Sequence, residues 1–165
     1  MQAHQSVLKL RRILVPIDFS VATAQTLRYA AAYAQQYQAT VTLLHVVKPD
    51  GSHHRRNISV ARLIEELIEA GETQLRQLTR VFFDEVATDI VVATGKPYLQ
   101  IVNETHETSA DMIIMGNHGN VGSWGLFRRN TAGKVSRHAP CPVLVVRALD
   151  RGFVMERATE QSVDR

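Results

Sequence analysis

The chain has 165 residues, 45% hydrophobic and 21% charged, with a net charge of +3 at pH 7. That length supports one domain with an adequate core, and the composition is that of a globular chain rather than a disordered or fibrous one. The mild basic excess carries no interleaved Lys, Arg and aromatic stripe, so nucleic acid is not expected; no apolar run nears the ~18 residues of a membrane span; and one cysteine, Cys141, excludes an internal disulfide.

Ile13-Leu14-Val15-Pro16-Ile17-Asp18 reads as a buried strand. Pro16 near its end suits a chain leaving the ladder. Ser20 is placed to cap the next helix, where Leu27, Ala30, Ala31 and Ala34 recur at helical spacing. Thr40 to Val47 is a second strand, and the polar stretch from Lys48 to Asn57 is a loop. Val60, Leu63, Ile64, Leu67, Ile68, Leu75 and Leu78 mark a long amphipathic helix that Gly71 interrupts. Ile90-Val91-Val92-Ala93 is a third strand closed by Gly95, and Pro97 fits the first turn of the helix that follows.

The run Asp111-Met112-Ile113-Ile114 then ends in Met115-Gly116-Asn117-His118-Gly119, a strand opening into a glycine loop. Glycines let backbone N–H groups approach a phosphate closely. A helix begins at Asn130-Thr131-Ala132, with Asn as cap, and its N-terminus attracts anions. A phosphate site between the glycines and that helix is therefore expected. Val143 to Val146 forms a last strand, with Cys141 read as a buried structural thiol at its start. Strands are expected near 13–17, 40–47, 88–94, 111–115 and 142–147. Alternation of continuous apolar strands with amphipathic helices predicts an α/β, doubly wound parallel sheet with helices on both faces. In that architecture ligands bind beyond the carboxyl ends of the strands, where strand order reverses.

Other features carry weaker signals. His45 reads as a satisfied core histidine, and His53-His54-Arg55-Arg56 as a surface patch without a third metal ligand. Asp18, at a strand end, reads either as a ligand contact or as a cap on the next helix. No Gly-x-Ser-x-Gly elbow, His-Glu-x-x-His or Walker sequence occurs, and no nucleophile and base can be paired, so an enzyme is not the leading expectation. A weak ATPase or a self-phosphorylating protein is the residual enzymatic option.

Taken together, several segments resemble the universal stress protein family over about residues 9 to 147. They are Ile13-Leu14-Val15-Pro16-Ile17-Asp18-Phe19-Ser20, Leu43-Leu44-His45-Val46, Gly95-Lys96-Pro97, Ala110 through Gly119, and Arg137 through Val146. The resemblance implies a five-stranded sheet of order 3-2-1-4-5, like that of adenine nucleotide alpha hydrolases. It also implies a homodimer through the last strand, Val143, Leu144, Val145 and Val146. The nucleotide-binding branch of the family carries Gly-x2-Gly-x9-Gly-Ser/Thr. Gly116 and Gly119 match its first two positions, whereas Arg129 stands at the third glycine and Asn130 at the Ser/Thr. By this resemblance Pro16, Ile17, Asp18 and Val41 would line an adenosine pocket. Gly116, Gly119, Asn130 and Thr131 would hold ribose and phosphates, with Asp18 available to magnesium. Met115, His118 and Arg129 join them as candidate contacts from their place in the motif, and His118 and Arg129 read equally as solvent-facing loop residues. The implied function is a stress-response module that binds ATP with little or no hydrolysis; a cytoplasmic location is the default expectation for a chain with no membrane-length apolar run and no signal-peptide pattern. The alternative is a nucleotide-free dimeric interaction module in which Arg129 closes the site. Residues 1–8 and 148–165 are expected to be flexible or to bind an unidentified protein partner.

Overall fold

A computed structural model of the chain describes residues 9–48, 59–117 and 131–148. Among them, strands and helices alternate as β1 (Arg12–Ile17), α1 (Thr23–Tyr37), β2 (Thr40–Val47), α2 (Val60–Phe82), β3 (Thr88–Thr94), α3 (Pro97–Glu107), β4 (Met112–Asn117), α4 (Thr131–His138) and β5 (Val143–Arg147). The strands form one parallel sheet of order β3-β2-β1-β4-β5. The chain winds outward from β1 to β3, then returns across the sheet to β4 and β5. Strand order therefore reverses between β1 and β4.

Period-two alternation divides the strand side chains between two cores. Ile13, Val15, Ile17, Val41, Leu43 and Ile114 pack with Leu27, Ala30 and Leu75 of α1 and α2. Leu14, Leu44, Val46, Ile113 and Met115 pack with Ile101 and Val135 of α3 and α4. β1 and β2 are buried almost throughout, as central strands covered on both faces must be. β3 and β5, at the sheet edges, keep mostly half-buried side chains.

Local chemistry explains most boundaries. Pro97 occupies the start of α3, where its missing N–H costs nothing. Gly95 has φ +131°, a conformation that side chains rarely adopt, and its N–H donates to the Val47 carbonyl at 3.0 Å. Ser59 caps α2 by accepting the Arg62 N–H at 3.2 Å. At the amino end of the sheet, Asp111 accepts the N–H groups of Arg11 and Arg12 at 2.8 and 2.9 Å, latching β4 to β1.

Two local expectations are corrected. The Ser20 side chain does not cap α1: the residue before the helix is Ala22, and the Ser20 hydroxyl oxygen is buried with no partner among the described residues. Ser20 serves through its backbone carbonyl, which accepts the Thr23 N–H at 3.0 Å. Gly71 does not interrupt α2, which runs unbroken from Val60 to Phe82. Instead, a Cβ at Gly71 would lie 3.0 Å from His45 Cδ2 and 3.6 Å from Val92, so the missing side chain lets α2 approach the sheet.

Candidate nucleotide crevice

The β1–β4 ladder covers only Ile13–Met112 and Leu14–Ile113, whereas β1 stays paired with β2 through Ile17. Pro16, which has no N–H, lies just past the point where the β1–β4 ladder stops. The two strands thus run on to their carboxyl ends without further ladder pairing, at the place where strand order reverses. This is the crevice position of doubly wound sheets.

Ile17 and Asp18 stand on one side of that crevice, and Gly116 and Asn117 on the other. Asp18 is half-buried, and its Oδ1 accepts the Ser20 N–H at 3.2 Å. Phe19 has φ +55°, a left-handed conformation costly for a bulky side chain. Its ring lies 4.6 Å from the His45 ring, centroid to centroid. His45 Nδ1–H donates to the Ile17 carbonyl at 2.9 Å, which leaves Nε2 unprotonated in the neutral ring. Burial holds the His45 imidazole below its ordinary value of 6.5, opposed by the Ile17 hydrogen bond and the charge of Asp18. The histidine is therefore the satisfied core residue expected, and it also touches the turn that carries Asp18.

The structure separates the proposed site residues into groups. Asp18, Gly116 and Thr131 come to the carboxyl end of the sheet. Pro16, Ile17 and Met115 are there too, but buried; the Ile17 and Met115 side chains belong to the two cores, so their accessible chemistry is backbone. Val41 is a correction. It is the second residue of β2, pairs with Ile13 at the amino end of β1, and is wholly buried. Asp18 follows the Ile17–His45 pair, four residues further along both strands, or roughly 13 Å away. The β2 residues that reach the carboxyl end are Val46 and Val47, followed by Lys48. Counting from the strand's end, rather than along the resemblance, would have shown this. His118, Gly119, Arg129 and Asn130 lie outside the described residues, as do Trp124, Phe127 and His53 through Arg56.

Gly116 acquires a second reason to be glycine. A Cβ there would meet Ala22 Cβ at 3.0 Å and Thr26 Oγ1 at 3.1 Å, so the start of α1 already crowds this position. The electrostatics at this end of the sheet favour an anion. The helices begin here, and none of the four described carries an acidic residue in its first turn. Lys48, Lys96 and Arg147 are exposed at the ends of β2, β3 and β5. The hydroxyls of Ser20, in the turn after β1, and of Thr23, at the start of α1, are buried without a partner among the described residues. Cys141 sits two residues before β5 and is half-buried, less than the buried thiol expected.

A doubly wound parallel sheet with a crevice at its strand reversal defines a class of α/β proteins built for a ligand at one end. Within that class, the universal stress protein family model matches residues 9–147, and the chain belongs to that family. Universal stress protein G of Salmonella typhimurium is 33% identical over 143 residues, covering 83% of this chain and 99% of the relative. The structure of universal stress protein UspA from Lactobacillus plantarum matches with a TM-score of 0.71 at 26% identity, covering 86% of this chain and all of that one. The same fold occurs in an Archaeoglobus fulgidus universal stress protein solved with dAMP, at TM-score 0.54 and 20% identity over 84% of this chain and 99% of that one. It occurs again in a universal stress protein solved with cAMP, at TM-score 0.58 and 16% identity over 86% and 99%. Among the described residues, no helix is long and apolar enough to cross a membrane.

Proposed function

We propose that this chain is a stress-response regulatory module that binds ATP at the β1–β4 crevice, with little or no hydrolysis. The observation that carries the proposal is the anion-friendly end of the sheet: Asp18 and Gly116 flank the crevice, the helices begin at that end without acidic residues in their first turns, and three exposed cations stand at the ends of β2, β3 and β5. The adenine nucleotides held by the two fold-mates support the same ligand class. A cytoplasmic setting is part of the proposal.

Magnesium fits this site only together with phosphates. Asp18 supplies one carboxylate, and among the described residues no group of three His, Cys, Asp or Glu could hold a metal. Mg²⁺ commonly takes one or two carboxylates plus substrate phosphates, so one aspartate is compatible with it. Asp18 would then orient the phosphate chain, and the N–H groups beside Gly116 and Thr131 would meet its oxygens.

The second reading is a nucleotide-free interaction module, and two observations favour it. Arg129 replaces the third motif glycine, and packing against α1 accounts for Gly116 without any phosphate. Calorimetry with ATP, AMP and cAMP, with and without magnesium, separates the readings. The expected ATP affinity is micromolar to high-micromolar, about −6 to −8 kcal/mol. If Arg129 pairs with a phosphate, Arg129→Gly weakens ATP; if it blocks the site, the same change tightens it. Absence of binding in both the parent and Arg129→Gly discards the nucleotide reading and leaves the interaction module.

A further inference from the structure

The turn between β1 and α1 contains a conformation that it cannot explain by itself. Phe19 holds a left-handed φ of +55° although it is neither glycine nor asparagine. Such a residue persists only where its surroundings over-determine it. The surroundings converge on His45. Its Nδ1–H grips the carbonyl of the Ile17–Asp18 peptide at 2.9 Å, and its ring packs on Phe19 with planes tilted by 45°. From the other side, α2 presses against the ring edge at Gly71, where even a Cβ would come within 3.0 Å. The histidine is 8% exposed and has no room to swing away. The charged group it faces is Asp18, in the turn itself; α2 offers Gly71, and β3 places Val92 beside it, both uncharged.

We propose that His45 is the positioning residue of the candidate nucleotide site. By fixing the Ile17 carbonyl and the Phe19 ring together, it holds the turn in the shape that presents Asp18 at the crevice. The inference rests on the nucleotide reading for its function, but its structural core is independent of any ligand. The peptide that His45 holds is the one leading directly into Asp18. The Asp18 carboxylate in turn accepts the Ser20 N–H, so the Ser20 amide reports whether the turn is intact.

Three variants of the full chain test this. His45→Ala removes both contacts. His45→Leu restores volume without a donor. His45→Asn places an amide N–H near the position of Nδ1. Amide NMR of Ser20 and ATP calorimetry are measured on each, with the melting temperature as a folding control. In His45→Leu and His45→Ala, the Ser20 amide is expected to shift and ATP to weaken at least about tenfold. In His45→Asn the Ser20 amide is expected to return toward the parent position, with ATP affinity within about threefold of the parent. An unchanged Ser20 amide and affinity in His45→Leu overturns the proposal. So does a His45→Asn protein as impaired as His45→Ala, because the restored donor then does nothing to hold the turn. If the parent binds no nucleotide, the functional reading fails, and the Ser20 comparison still decides the positioning role.

Discussion

Gly116 shows how one position can satisfy two demands. Its bare Cα faces Ala22 and Thr26, and the Thr26 hydroxyl donates to the Ala22 carbonyl at 2.8 Å, which stiffens that wall. Gly116→Ala is therefore expected to cost about 1–3 kcal/mol in urea unfolding without any nucleotide present. A neutral result would return Gly116 to a purely ligand-binding role. His45 sets a pH dependence at the same scale. Its folded value lies below the ordinary 6.5, so the unfolded chain takes up the proton more readily. The stability it contributes is whole above about pH 6.5 and is lost as pH falls through the lower folded value. Melting temperatures of the parent should thus fall over that window more steeply than those of His45→Asn. Burial likewise pushes the Cys141 thiol above its ordinary 9.0, with Asp111 adding to the shift and a hydrogen bond to the Ile113 backbone opposing it. Reaction with a disulfide reagent at pH 7.5 should be slower than for an exposed peptide thiol. Equal rates would contradict that environment.

At the scale of elements, β5 leaves one side of an apolar strand beyond the sheet. Val143, Leu144 and Val145 are half-buried, and β5 pairs only with β4 among the described residues. Unpaired N–H and C=O groups on such an edge invite a second strand. We propose that two copies join edge to edge through β5 as a symmetric dimer. Light scattering should give twice the chain mass for the parent and a shift toward monomer for Val145→Lys, checked against its melting temperature. Monomeric parent at micromolar concentration would remove the proposal. The long helix α2 adds a different element-level feature. Its twelfth residue, Gly71, sits beside His45 near the end of β2, so about two turns before it project past the strand ends. Val60 and Leu67 lie exposed on that projection.

For the whole molecule, ligand and fold are linked by mass action. A nucleotide that binds only the folded chain should raise stability by about 2.7 kcal/mol at a hundred times its dissociation constant. ATP should also lose affinity as salt rises from 0.05 to about 0.5 M, because Lys48, Lys96 and Arg147 act through screened distances. Adenosine, lacking phosphates, should respond little. Equal salt dependence for the two would show that the cations at the strand ends do not meet the phosphates.

The sequence by itself determined the elements and their architecture. Apolar runs of strand length, helical spacing of Leu27, Ala30 and Ala34, and punctuation by Gly95 and Pro97 are local signals, each written within a few residues. The crevice was legible in part, since Asp18 ends one strand and Gly116 another. What tertiary structure alone decided was who faces whom. Val41 belongs to the far end of the sheet because the register pairs it with Ile13. The Cβ-free face of Gly71 lets its own helix sit close on His45 and Val92 of the sheet, and that of Gly116 makes room for α1. Ser20 is not the cap because the helix starts only at Thr23, with Ala22 before it. His45 controls that turn from a strand 28 residues away. Periodicity encodes which face of an element is buried, but not which neighbour covers it; that follows from strand register and helix placement, which arise only when distant segments pack.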